Sequence, residues 1–233
     1  MLPDGTVEVL RLLRPSHLSA VLAAVRRRLF SRSRSLGFAR ALDSDIEVPR
    51  RVKITVRPVE PSDELSFLDV TDKSLSADAV YERLIQQRLL AAQVPTCWLG
   101  LTAGGEYCYM HWLVLPEANA KLRSTWGAFF PPLEPTEALL EGLYIPEKFR
   151  GRGYPVGGVA ALARVAESHG IARLVTYIDE ANTTLTRWLL KVGFEPFCLR
   201  EQTWIMFRRH VRFTPIDKTA LDRARPSLSG HHT

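Results

Sequence analysis

The sequence predicts an α/β domain, a sheet flanked by helices, and three observations carry that expectation. Stretches rich in β-formers at 96–101 and 107–115 bracket the turn signal Thr102-Ala103-Gly104-Gly105-Glu106, which makes a hairpin. Farther on, an apolar strand at 139–145 runs into a loop with two glycines and then into a helical pattern from about Val156 to His169. A further strand at 173–178 and a helix starting near Asn182 repeat that order. With 233 residues, 46% of them apolar and 24% charged, the chain can build one ordinary globular core.

Taken from the amino end, Pro15 suits the first turn of a helix, and Leu18, Val21, Leu22, Val25 and Leu29 recur on one stripe. That amphipathic helix is expected to end near the Arg/Ser stretch at 31–35, and 36–52 reads as a linker. The chain thus divides into a basic helical extension and linker (1–52), a main domain (53–215) and a loosely ordered tail (216–233). Lys53–Pro58 alternates as a short strand stopped by proline, and Pro61-Ser62-Asp63-Glu64 is a helix-start signal. Ser76 caps a helix with Val80, Tyr81, Leu84, Ile85 and Leu89 on one face. Residues 116–137 fit no regular element; four prolines surround Trp126, Phe129 and Phe130, and a loop of this length is often functional. Two last strands are expected on either side of Glu201-Gln202-Thr203.

Charge is unevenly placed. Residues 1–57 carry a net charge of +7, and the remainder −1. The run Arg26-Arg27-Arg28 with Arg32 and Arg34 can attract nucleic acid, an anionic surface or an acidic partner, although a solvated helix end is the simpler reading. The stripe Leu18–Leu29 needs a cover: the main domain, a second copy in a homo-oligomer, or a membrane surface. Removing the first 50 or so residues is expected to leave every downstream motif working. No apolar run approaches a membrane span and no secretory pattern opens the chain, so the cytoplasm is the expected location. Cys97, Cys108 and Cys198 have no metal-ligand spacing and read as buried inert thiols.

The chemistry lies at Leu143-Tyr-Ile-Pro-Glu-Lys-Phe-Arg150-Gly-Arg-Gly153-Tyr. Backbone N–H groups of a glycine loop converge at a helix N-terminus, and Arg150 and Arg152 add formal charge: this is an anion site. The order of elements and the loop resemble the GNAT acetyltransferases, whose pyrophosphate loop reads Arg/Gln-x-x-Gly-x-Gly/Ala; Arg150 and Gly153 match its first two fixed positions. A second segment, Asn182-Thr-Thr-Leu185-Thr-Arg-Trp188-Leu189-Leu-Lys191-Val-Gly193-Phe194, is similar to that family's later Asn-x-x-Ala-x-x-Leu-Tyr-x-Lys-x-Gly-Phe. By themselves, Asn182 is a helix N-cap and Lys-x-Gly-Phe a helix stop. Two positions depart from the pattern. Pro155, which has no N–H, stands where Gly or Ala is expected, and Leu189 stands in place of the tyrosine that protonates the departing thiolate.

The resemblance implies a mixed, mostly antiparallel twisted sheet of about six or seven strands. It also implies transfer from acetyl-CoA, or another acyl-CoA, directly to an amine of a small-molecule or peptide acceptor, with no metal. Backbone groups of Leu143, Tyr144 and Ile145 would follow the pantetheine arm. Arg150, Gly151, Arg152, Gly153, Tyr154 and Val156 would hold the pyrophosphate, and Asn182 would contact the cofactor. A carboxylate on the strand is the natural proton acceptor; Glu141 is that candidate, or else an ordinary strand carboxylate, and Glu137 lies just outside. His111 reads as a core histidine, Tyr177 as a substitute acid, and Trp126, Phe129 and Phe130 as acceptor lining or core. The competing class is a binding module with this fold whose chemistry has been lost.

Overall fold

A strand occupies the place where a helix end and a linker are expected. The computed structural model describes residues 26, 28–71 and 75–216, so most of the helix predicted from Pro15 to the Arg/Ser stretch, and nearly all of the predicted tail, lie outside the described residues. Arg26, Arg28 and Leu29 are helical, and strand β1 (Phe30–Ala41) begins at once after them. It enters the middle of one eight-stranded sheet, in the order β2-β3-β4-β5-β6-β1-β7-β8.

The other strands are β2 (Ile54–Pro58), β3 (Cys97–Thr102), β4 (Tyr107–Val114), β5 (Glu137–Tyr144), β6 (Arg173–Asp179), β7 (Glu195–Ile205) and β8 (Arg208–Pro215). Only β5 and β6 pair in parallel; every other neighbour is antiparallel. The helices are α1 (Ala77–Ala91), α2 (Asn119–Trp126), α3 (Tyr154–Ser168) and α4 (Thr183–Lys191). The sheet is therefore mixed and mostly antiparallel, with one strand more than the six or seven expected.

That extra strand is β1, and it corrects the division at residue 52. The segment Phe30-Ser-Arg-Ser-Arg-Ser reads as a charged arm because its solvent side carries arginine. Its backbone is nevertheless paired with β7 from Phe30↔Ile205 on to Ala39↔Glu195, and from Ser35 the strand gains a second partner in β6, Ser35↔Asp179 through Ala41↔Arg173. Phe38 is fully buried in the core, and the buried Arg40 donates to the carbonyls of Val192 and Ser44, each at 2.8 Å. Arg40 thereby completes the end of α4. There Gly193 (φ +83°) and Phe194 donate to Leu190 and Leu189, the double bond expected of a helix stop. A Cβ on Gly193 would come 1.9 Å from Arg40 Nη1, so this glycine serves a close approach as well as a turn.

Each face of the sheet has its own apolar core. α3 and α4 cover Phe38, Leu113, Leu140 and Leu174, and α1, α2 and the segment to Leu133 cover Leu99, Trp112, Leu139 and Val175. Three local expectations change. The 116–137 stretch contains α2 between two 3-10 turns, pinned because the Asn119 side chain bonds both the N–H and the carbonyl of Leu133 at 2.8 and 2.9 Å. α1 starts at the Ser76 cap as expected, but Tyr81, Leu84 and Ile85 face solvent and Ala79, Gln86 and Leu89 are buried. Arg83 and Gln87 bond the carbonyls of Asp69 and Leu68, which sets the rotation of that helix. Glu201-Gln202-Thr203 lies inside β7, and the chain reverses instead at Met206–Phe207.

Candidate active site

β5 and β6 part company halfway along. Their register runs from Glu137↔Arg173 to Leu139↔Val175 and stops, while both strands continue to Tyr144 and Asp179. The cause is local to β5. Between Trp112↔Glu141 and Met110↔Tyr144 the β4–β5 register shifts, placing extra chain on β5, and Gly142 takes φ +66°. A Cβ on Gly142 would lie 2.6 Å from Leu89 and 2.9 Å from the Trp112 ring, so no other residue fits this bulge. A bulged strand bends away from its neighbour. The β6-facing backbone groups of residues 140–144 are thus left without a strand partner, in a V-shaped notch.

The glycine loop lies beyond the end of β5. Gly151 (φ +73°) and Gly153 (φ +88°) turn the chain into α3, with Pro155 accommodated in its first turn. Among the described residues no carbonyl accepts from the amides of Gly151, Arg152, Gly153 or Tyr154. The amides of Val156 and Gly157 both run to the Gly153 carbonyl, at 3.1 and 3.5 Å. Of the expected cradle, the Val156 amide is thus already engaged, and the amides of 151–154 are the ones left free to meet an anion. Arg150 donates to Glu82 on α1 and to the carbonyl of Ile145, at 2.6 and 3.2 Å, strapping the loop to the strand end. Arg152 lies 5.9 Å from the Phe149 ring, with no carboxylate paired to it among the described residues. The cradle therefore combines free amides, a helix N-terminus and an unopposed arginine, which fits a pyrophosphate. Asn182 follows β6 and caps α4, its Oδ1 accepting from Leu185 N–H at 3.0 Å.

On the other face of the notch stands Glu141. It is half-buried, and the loss of water raises its carboxyl to about 7, against the pull of the Arg200 guanidinium and of the Gly142 amide. Arg200 on β7 is only 5% exposed. Its guanidinium lies 3.7 Å from the Phe129 ring centroid and 4.7 Å from that of Tyr177, and it donates to Ser35 Oγ at 3.1 Å. Phe130 packs on Phe129 and Tyr177, with Trp126 edge-on to it. Burial raises the Tyr177 hydroxyl well above its ordinary range, so it stays protonated. Five distant segments thus meet at one spot, and Arg200 is the charged member that sequence reasoning missed. Its only signal is a lone arginine following Phe197-Cys198-Leu199 in an apolar strand.

The remaining candidates sit elsewhere. Glu137 is bound by Arg173 at the start of β5. His111 is on the opposite face of β4, its Nδ1 2.7 Å from the Tyr109 hydroxyl, and burial lowers it to about 3, so it is neutral. Leu189 is buried in the α3–α4 core. The three cysteines are free and buried. No metal-ligating group of three or more His, Cys, Asp or Glu occurs among the described residues, nor does any described helix have the length and apolarity to cross a membrane.

The fold is that of the GCN5-related N-acetyltransferases, the GNAT fold. The chain superposes on the GCN5-related glucosamine N-acetyltransferase region of a fungal multi-domain GH3 β-N-acetylglucosaminidase with a TM-score of 0.53 and 12% identity, covering 82% of this chain and 23% of that one. It also superposes on a functionally unknown conserved protein from Staphylococcus epidermidis, with a TM-score of 0.51 and 10% identity, covering 79% and 66%. The chain therefore spans about a quarter of the fungal protein's length and about two thirds of the staphylococcal one's. No protein-family model matches the sequence, and no curated protein does.

Proposed function

We propose that this protein is an acyl-CoA-dependent N-acyltransferase, with acetyl-CoA the simplest donor and a small-molecule or peptide amine the acceptor. One observation carries the reading: the β5–β6 notch has a cradle of free amides at its mouth and a carboxyl of shifted acidity on its wall. An acyl-CoA supplies an activated thioester to such a notch. Backbone groups of Leu143, Tyr144 and Ile145 hold the pantetheine arm as an added strand is held. The amides of 151–154 and the Arg152 side chain hold the pyrophosphate, with Asn182 at the same end of the sheet. Glu141, half ionised near pH 7, takes a proton from the acceptor's ammonium and so frees the neutral amine that attacks the thioester carbonyl. The thiolate departs to solvent, because buried Leu189 has no proton to give and burial makes the Tyr177 hydroxyl too weak an acid for the step. Trp126, Phe129 and Phe130 line the acceptor side. Three free cysteines suit a reducing compartment such as the cytoplasm.

The test is a melting curve. At acetyl-CoA concentrations about 100 times Kd, binding to the native state alone adds roughly 2.7 kcal/mol and raises the melting temperature of a chain this size by roughly 5–10 °C. Arg152→Glu, on an exposed side chain, weakens binding at least about tenfold by calorimetry, because it sets a negative charge beside the phosphates. An unmoved melting point in millimolar acetyl-CoA refutes the reading. The buried Leu189 favours a second one, a module that binds acyl-CoA without turnover. Its signature is a clear thermal shift with no free thiol released across a broad panel of amines.

A further inference from the structure

The end of the β1–β7–β8 ribbon carries an apolar tip. Residues 30–34 of β1 pair with β7 alone, since the β1–β6 register begins at Ser35, so this end projects past β6. Phe30 pairs with Ile205, and the amides of Met206 and Phe207 donate to the carbonyls of Leu29 and Arg28 at 2.9 and 2.8 Å. Leu29, Phe30, Ile205, Met206 and Phe207 thus form one cluster, and all five face water, Phe30 at 74% and Met206 at 71% exposure. Among the described residues the only other exposed large apolar side chains are three on α1. The exposure is concentrated at this tip.

The backbone makes this composition more telling. Met206 and Phe207 take φ +47° and +63°, the two-residue hairpin turn that ordinarily carries Asn-Gly. Bulky residues are outliers in that region, and here they neither pack in a core nor ease the turn. Side chains kept against both backbone preference and solvation point to a use outside the fold.

Charge names the partner. Segments 26–34 and 201–212 contain eight arginines and one carboxylate, Glu201, which is already bound by Arg32 and Arg34. Arg26, Arg28, Arg208 and Arg212 make no ion pair among the described residues. We propose that this tip docks the protein on an anionic lipid surface: Met206 and Phe207, with Phe30 beside them, enter the headgroup layer while the arginines meet lipid phosphates and carboxylates. A second copy is a poor occupant, because a two-fold contact here sets arginine against arginine. A nucleic acid would meet the arginines but leave Ile205 and Met206, which offer no ring to stack, without a partner.

The full chain is spun with phosphatidylcholine vesicles and with vesicles that also carry phosphatidylserine. Binding is expected to the second only, and to fall as salt is raised. The decisive variant is M206N/F207G, which supplies the preferred turn residues: its melting temperature holds or rises, while vesicle binding drops at least tenfold. Arg208→Glu weakens binding in the same direction. A wild-type chain that stays in the supernatant at low salt overturns the proposal. So does undiminished binding by M206N/F207G, a vesicle-free dimer that M206N/F207G dissolves, or tighter binding to an oligonucleotide than to phosphatidylserine vesicles. Acetyl-CoA plays no part in these measurements, so they stand apart from the proposed activity.

Discussion

Glu141→Gln is expected to lower the rate of the proposed amine acetylation by about 10²–10⁴-fold near neutral pH, the usual range for loss of a general base, while acetyl-CoA affinity holds. Affinity is expected to hold because, in the proposed mode of binding, the strand meets the donor through its backbone. In the unaltered protein kcat/KM is expected to climb with pH through a midpoint of about 7, where the Glu141 carboxyl ionises. Arg200→Met moves that midpoint upward, since the guanidinium favours the ionised carboxylate. A stability measurement gives an independent check. The folded-state value of Glu141 lies above its ordinary 4.5, so its stabilising contribution is present in acid and is lost as pH rises through about 7. Glutamine carries no such liability, and Glu141→Gln gains stability relative to the parent above that pH. An acetylation rate unchanged by Glu141→Gln at pH 7 removes the residue from the mechanism.

A chain started at Arg50 is expected not to fold, contrary to what its motifs alone suggest. Removing β1 strips β6 and β7 of a shared partner in the middle of the sheet and leaves the end of α4 without Arg40. The subtler test is Phe38→Ala. It empties a fully buried site and costs about 3–5 kcal/mol, against a total stability on the order of 5–15 kcal/mol. Urea titration of the single variant and circular dichroism of the truncated chain make the measurements. A truncated chain that melts cooperatively and still binds acetyl-CoA would show that β1 is dispensable.

Elements with local signals can be read directly along the chain. The 102–106 hairpin, the Ser76 and Asn182 caps, the Gly193 stop and the strand–loop–helix of 139–168 all depend on residues within a few positions of one another. Backbone preference and capping suffice for these, and the glycine loop was legible for the same reason. Tertiary structure alone decided the rest. β1 hides under a Ser/Arg alternation because that segment becomes a strand only through distant partners, β7 along it and β6 from Ser35 onward. Arg200 reaches Glu141's surroundings from a strand with no motif, since a charge becomes part of a site only when folding takes away its water. The bulge at Gly142 looks like any glycine in a strand until Leu89 and Trp112 close over it. Val156 keeps a free amide on paper and loses it to the Gly153 carbonyl in the folded turn. What is read from neighbours in the chain survives folding, and what depends on partners a hundred residues away exists only after it.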